Sequence, residues 1–143
     1  TASQGKQLVG ADYSQIELRL LAHMSADDGL ISAFNSGADV HTSTAAEVFG
    51  VPVSEVTREQ RSAAKAVNFG IVYGISAFSL SKDIGVTVAE AKNYMDAYFE
   101  RFSGVRRYMK DVVARGTGRS AAVEGLSIAG KTGSAESSMN NSD

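Results

Sequence analysis

Apolar positions recur with a helical period along most of this chain. Ile16, Leu20, Leu21 and Met24 fall at helical spacing, and Ser14 stands three residues before Glu17, the spacing of a capping box. Ahead of them, the short apolar run Leu8-Val9-Gly10-Ala11 within Lys6 to Tyr13 predicts a short strand that feeds directly into this helix. Ser25 to Gly29 reads as a turn. A second helix is expected from about Asp39 to Phe49, with Gly50 as its stop and Pro52 just beyond. Thr57 with Gln60 and Thr87 with Glu90 repeat the capping signal. They predict helices running to about Phe69 or Tyr73 and to about Phe102. Between them, Ser76 to Asp83 suggests a short helix broken by Gly85, and a last helix runs from near Ser103 to near Gly116.

After Gly116 the periodicity ends. Thr117 to Asp143 is rich in Gly, Ala and Ser, and its final stretch, Ser137 to Asp143, has the composition of a disordered end. The expected class is therefore α+β but mostly α, with one strand and no internal repeat.

Composition narrows the function classes. The 143 residues are 43% hydrophobic and 21% charged, enough for one domain with its own core. A net charge of −2 excludes a uniformly basic glove for nucleic acid, so any such binding must use a local patch. Without cysteine there are no disulfides and no thiolate metal sites. No apolar run is long enough to span a bilayer, and Thr1 to Gln7 is short and polar rather than a signal peptide. A cytoplasmic location is expected.

Two stretches carry candidate chemistry. In Asp12-Tyr13-Ser14-Gln15-Ile16-Glu17-Leu18-Arg19, an aspartate stands where a strand gives way to a helix. Mg²⁺ takes oxygen ligands and keeps water and substrate phosphates in its shell, so one or two carboxylates suffice from the protein. Spacing alone also allows a plainer reading, in which Asp12 serves the turn and Glu17 caps the helix. The second stretch runs from Arg61 to Gly74, with Arg61, Lys65, Phe69 and Tyr73 at every fourth position. Each step drifts by about 40°, so the four stay on one side of a helix over about 18 Å. Ala63, Ala64, Val67 and Ile71 take the other side. The stripe runs from two cations to two rings, which is the order of phosphates, sugar and base in a nucleoside triphosphate. A solvated charged face ending in core aromatics is the plainer alternative here too.

Together, in this order and at this separation, the two stretches resemble motifs A and B of family A DNA polymerases, the bacterial DNA polymerase I type. Asp12 to Arg19 matches motif A without a gap. Arg61 to Gly74 matches the R-x-x-x-K-x-x-x-F-G-x-x-Y-G pattern of motif B. Asp39-Val40-His41-Thr42 and Ala45 to Gly50 resemble the segment that links them, and the resemblance covers about Gly5 to Arg115. One departure is Phe102-Ser103-Gly104, where relatives usually have a proline before the glycine.

The resemblance implies roles in template-directed deoxynucleotidyl transfer to a primer 3′-end, a reaction of DNA replication and repair. Asp12, helped by the Tyr13 carbonyl, would bind catalytic Mg²⁺. Glu17 would crowd the 2′ position of the incoming sugar. Gln15 and Arg19 would lie near the primer terminus and minor groove. His41, Arg61 and Lys65 would hold the triphosphate, with Lys65 also placed to protonate pyrophosphate. Phe69 would pack on sugar and base, while Tyr73, next to Gly74, would close the pocket near the template. Residues 1–36 would then be palm-derived, 37–115 the fingers, and primer–template DNA and dNTPs the partners.

The chain contains no H-D-E segment, which carries the second catalytic aspartate in this family. These 143 residues alone are expected not to extend primers at a useful rate, and another chain could supply the rest of the palm. Residues 116–143 look foreign: Gly116 to Gly125 and Ile128 to Glu136 resemble the region around the K-T-G box of penicillin-binding transpeptidases, with Lys131, Thr132 and Gly133 as the box. Ser62-Ala63-Ala64-Lys65 and Ser138-Met139-Asn140 fit the other transpeptidase motifs, but the first lies inside motif B and the second stands in reversed order. A third reading takes Leu80 to Ala91, with its glycine turn, as a helix-turn-helix. Glu90, Asp96 and Glu100 on the second helix suit a DNA backbone badly.

Overall fold

A computed structural model describes residues 2–132. Seven α-helices follow one another: α1 (Ile16–Ser25), α2 (Asp28–Asn35), α3 (Val40–Phe49), α4 (Arg58–Tyr73), α5 (Ala77–Ile84), α6 (Val88–Arg101) and α7 (Ser103–Ala114). Single 3₁₀ turns at Val53–Glu55 and Arg119–Ala121 complete the regular structure.

Helix starts follow the side chains that can satisfy orphan N–H groups. Thr57 and Thr87 each form a full capping box, with Gln60 and Glu90 respectively. Asp39 and Ser76 accept from Thr42 N and Ser79 N, at 3.0 and 3.1 Å. Gly50, Gly74 and Gly85 end their helices in the left-handed conformation, which costs glycine little. The expected helices around residues 39–49, 57–73, 76–84, 87–102 and 103–116 are all present.

Three expectations fail at the N-terminal end. The strand at Lys6 to Tyr13 is not seen, and among the described residues there is no strand at all. Leu8 and Val9 stand in solvent, 78% and 90% exposed. A strand is defined by its ladder, and no neighbouring segment offers one, so a local apolar run could not produce it. The described fold is therefore all-α rather than α+β, and Asp12 sits in an irregular exposed segment instead of at a strand end.

The Ser14–Glu17 capping box does not form either. Gln15 takes a left-handed conformation (φ 54°) as the residue before α1 and makes no side-chain cap. Arg19 Nε occupies the Ser14 carbonyl at 3.0 Å. The expected turn over residues 25–29 shrinks to Ala26 and Asp27, and α2, which was not expected, starts at once because Asp27 caps it.

The core lies where all seven helices meet. Leu18 and Leu21 of α1, Leu30 of α2, Val40 of α3, Val67 and Ile71 of α4, Leu80 of α5, Tyr98 of α6 and Val105 of α7 are buried in one cluster. The α1 face turned inward is thus Leu18, Leu21, Ala22 and Ser25, while Ile16, Leu20 and Met24 remain exposed. Beyond α7 the chain turns back: Gly118 N donates to the Val112 carbonyl at 3.0 Å, and Gly130 N to the Met109 carbonyl at 3.1 Å. Gly133 of the expected K-T-G box, Ser138-Met139-Asn140 and the whole expected disordered end from Ser137 to Asp143 lie outside the described residues.

Tyr98 carries a fully buried hydroxyl with no hydrogen-bond partner among the described residues. Burial, reinforced by the negative charge of Asp27, pushes its pKa well above the ordinary phenol value. Because an unmade buried hydrogen bond is a cost, Tyr98→Phe is expected to be neutral or to stabilise by up to about 1 kcal/mol. Urea unfolding of the two proteins checks this, and a loss of stability in the variant would show that the hydroxyl is partnered.

Candidate functional site

Motif B lies on α4, and motif A runs from the exposed segment at Asp12 into the first turn of α1, where Leu18 is buried. The two are joined through α3. Asp39 caps α3, which fixes His41 in its first turn, 3% exposed and facing α4. The inward side of α4 meets it with Asn68, whose Nδ2 lies 3.1 Å from His41 Nδ1 and 3.1 Å from Thr44 Oγ1. With its amide nitrogen toward both, Asn68 is oriented to donate to His41 Nδ1, which suits a neutral ring with its proton on Nε2. Gln15 Nε2 lies 3.4 Å from His41 Nε2. Two donors would face each other there, and rotating the Gln15 amide by half a turn brings its oxygen onto the imidazole N–H.

Two cations and one carboxylate act on this ring. Burial lowers the His41 pKa below 6.5; Asp39 opposes the shift, while the Arg61 and Lys65 cations add to it. The folded chain thus binds this proton less readily than the unfolded chain. The stability this provides is present above 6.5 and falls away as pH drops through the lowered folded value. The urea midpoint is expected to fall between about pH 7 and pH 5, and His41→Gln should flatten that slope. An unchanged slope in the variant would assign the titration to another group.

Arg61 is held by Asp39, with Nε 2.7 Å from Oδ2 and Nη2 3.2 Å from Oδ1. Asp39 Oδ2 also accepts from Thr42 N and from Thr42 Oγ1 at 2.6 Å. Partial burial raises the Asp39 pKa, but the Arg61 and Thr42 hydrogen bonds outweigh it and hold the carboxyl well below its ordinary 3.8. One turn along α4, Lys65 is exposed and has no ion-pair partner among the described residues. Next comes Phe69, half-buried, its ring centroid 5.7 Å from that of His41. Tyr73 follows, 68% exposed and stacked on Phe69 at 6.4 Å and 13°. A hollow of about 330 Å³ opens here, bounded by Ala66, Phe69, Gly70, Tyr73, Ile75 and Asp83.

Two glycines shape this end of α4. A Cβ at Gly70 would come within 2.4 Å of Ile75 Cγ2, so only glycine lets the chain fold back there. Gly74 supplies the left-handed turn at φ 74° that reverses it.

Six expected site residues are thus brought together: Gln15, His41, Arg61, Lys65, Phe69 and Tyr73. Asp12, Tyr13 and Glu17 are exposed, and among the described residues the Asp12 and Glu17 carboxylates have no side-chain partner. Arg19 packs its guanidinium over Phe34, 4.6 Å from the ring centroid. Sequence reading missed three residues of the site: Asp39 as the partner of Arg61, and the Asn68–Thr44 pair behind His41. Asn68 had a signal, since a polar residue four after Ala64 stands at a core position. No group of three metal-ligating side chains occurs among the described residues.

Comparison with known proteins shows the family. The family model for DNA polymerase family A matches residues 1–128. DNA polymerase I of Pseudomonas aeruginosa is 58% identical over 109 residues, 76% of this chain and 12% of that protein. DNA polymerase I of Lactococcus lactis subsp. cremoris is 57% identical over 112 residues, 78% of this chain and 13% of the relative. Among solved structures, the POL domain of Pol1 from M. smegmatis, in complex with DNA primer-template and dNTP, matches with a TM-score of 0.68. It shares 48% identity over 76% of this chain and 19% of that one. This chain belongs to DNA polymerase family A, and it spans about an eighth of the length of the curated relatives it matches. The match accounts for α5 and α6 without a separate helix-turn-helix module, and for Ser62 and Lys65 without transpeptidase chemistry. Among the described residues, no helix is long and apolar enough to cross a membrane.

Proposed function

We propose that this chain carries the nucleotide-binding wall of a DNA-directed DNA polymerase, working on primer–template DNA and dNTPs in the cytoplasm. One observation supports this above the rest: Arg61 and Lys65 begin a stripe on α4 that finishes in the stacked rings of Phe69 and Tyr73, with His41 packed against Phe69. A triphosphate laid along α4 would meet the Arg61 guanidinium and then the Lys65 ammonium, and the His41 imidazole, buried beside Phe69, would reach it where Gln15 gives up its bond to Nε2. Its sugar and base would lie against Phe69. Tyr73, beside the Gly74 turn, would cover the template side. Lys65, the exposed cation, would be the proton donor for departing pyrophosphate.

The hard oxygens of Asp12 and the Tyr13 carbonyl suit Mg²⁺, but they supply only one carboxylate. When bound, the metal pair of this family supplies Lewis-acid stabilisation of the transferring phosphate. A second carboxylate would come from outside these 143 residues, from the part of the palm they do not include. Glu17, in the first turn of α1, would limit the room beside the sugar, and Gln15 and Arg19 would approach the primer end. Residues 1–36 would then belong to the palm and 37–115 to the fingers; residues 116–143 would hold a segment of separate origin, although the family match itself runs on to residue 128.

Titration of the chain with Mg²⁺·dNTP tests the reading. Arg61→Ala and Lys65→Ala are each expected to weaken binding at least about tenfold, the loss of one charge-assisted contact. Binding by the unmodified chain that neither substitution alters would remove α4 as the triphosphate site.

A further inference from the structure

We infer that Asp39 is a positioning residue for the incoming triphosphate: it holds Arg61 side-on so that the far edge of the guanidinium is presented to phosphate. This rests on the triphosphate reading of α4 and adds a residue to it. A guanidinium has five N–H donors. Asp39 takes two of them, one on Nε and one on Nη2. Three remain, on the opposite edge and end, in the fork that matches phosphate oxygens.

The carboxylate is itself immobilised. Its Oδ2 receives Thr42 N, Thr42 Oγ1 and Arg61 Nε at 3.0, 2.6 and 2.7 Å. Asp39 is the N-cap of α3, so the group that orients Arg61 also fixes the helix start from which His41 projects. One carboxylate therefore sets the relative placement of two phosphate-binding groups carried by different helices. Left alone, a half-exposed arginine samples many rotamers, and binding must then order it. The pairing does that ordering before the ligand arrives. It also cancels one unit of charge, so Arg61 contributes direction rather than net attraction.

Two opposing effects meet at Asp39, since a carboxylate near the ligand also repels phosphate. The side-on geometry decides between them, because the carboxylate lies behind the guanidinium from the three free N–H groups. Asp39→Asn separates this role from capping, since asparagine caps helices about as well as aspartate.

The experiment combines two measurements on the full chain. In Mg²⁺·dATP titrations, Asp39→Asn is expected to weaken binding about tenfold, with helix content by circular dichroism unchanged. In an Arg61→Ala background the same change should have no further effect, which a merely structural role would not produce. Without ligand, the Arg61 Nε–Hε resonance should be protected from exchange in the unmodified chain and lose that protection in Asp39→Asn. Equal or tighter dATP binding by Asp39→Asn, with Arg61→Ala still weakened, overturns the positioning role and leaves the triphosphate site intact. An Arg61→Ala variant that binds like the unmodified chain overturns the site and the inference together. An unprotected Arg61 Nε–Hε in the unmodified chain overturns the pairing whether or not nucleotide binds.

Discussion

Replacing Asp27 with alanine is expected to cost the fold about 2–4 kcal/mol, the sum of a lost helix cap and an orphaned buried N–H. Asp27 is buried, and its two oxygens serve different elements. Oδ1 accepts Leu30 N at 3.0 Å and starts α2, while Oδ2 accepts Gly104 N at 2.8 Å and starts α7, 77 residues away. No water can replace the carboxylate at the second contact without enlarging the site, because the backbones touch: a Cβ at Gly104 would lie 3.0 Å from Asp27 Cα. Asparagine keeps one acceptor but must turn an N–H toward one of the two donors, so Asp27→Asn should fall between wild type and alanine. Urea unfolding of the three proteins orders them. Equal stability of Asp27→Ala and wild type would mean that the α1–α2 turn is not tied to α7. The contact also explains why glycine stands after Phe102 and Ser103, whichever residue precedes it.

Asn68→Ala is the second large effect, again about 2–4 kcal/mol, from two buried polar groups left unpaired and a small cavity. His41 Nδ1 and Thr44 Oγ1 both lose their donor. The consequence reaches function through protonation. With no N–H facing Nδ1, a proton there is no longer opposed, so the folded-state pKa of His41 moves back toward 6.5. The slope of stability with pH between about 7 and 5 should therefore flatten in Asn68→Ala as well as in His41→Gln. A variant that loses stability but keeps the full slope would show that burial and the neighbouring cations, not Asn68, hold the ring neutral.

Much of the site was legible because motif chemistry and helix geometry agree. Arg61, Lys65, Phe69 and Tyr73 share a face by the arithmetic of 3.6 residues per turn, and the structure keeps them there. Capping boxes at Thr57 and Thr87 were readable because cap and partner lie three residues apart, inside one turn. The same logic misled at Ser14: the pattern was right, but Gln15 turned left-handed and moved the helix start by one residue. Helix α2 escaped notice because its cap, Asp27, lies inside what reads as a turn. Asp39 and Asn68 were hidden for a different reason, since their partners are 22 and 27 residues away.

The sequence by itself determined six of the seven helices, the capping boxes at Thr57 and Thr87 and the stripe on α4, because each depends on residues within one or two turns. It also determined the family, through two motifs whose spacing chance does not supply. Tertiary structure alone decided which apolar row of α1 faces the core and that His41 is buried against Asn68. It alone decided that Arg61 is oriented by Asp39 and that Asp27 joins two helix starts. The strand marks the boundary between the two: a helix makes its hydrogen bonds within itself, whereas a strand borrows them from a neighbour that a local run of residues cannot specify.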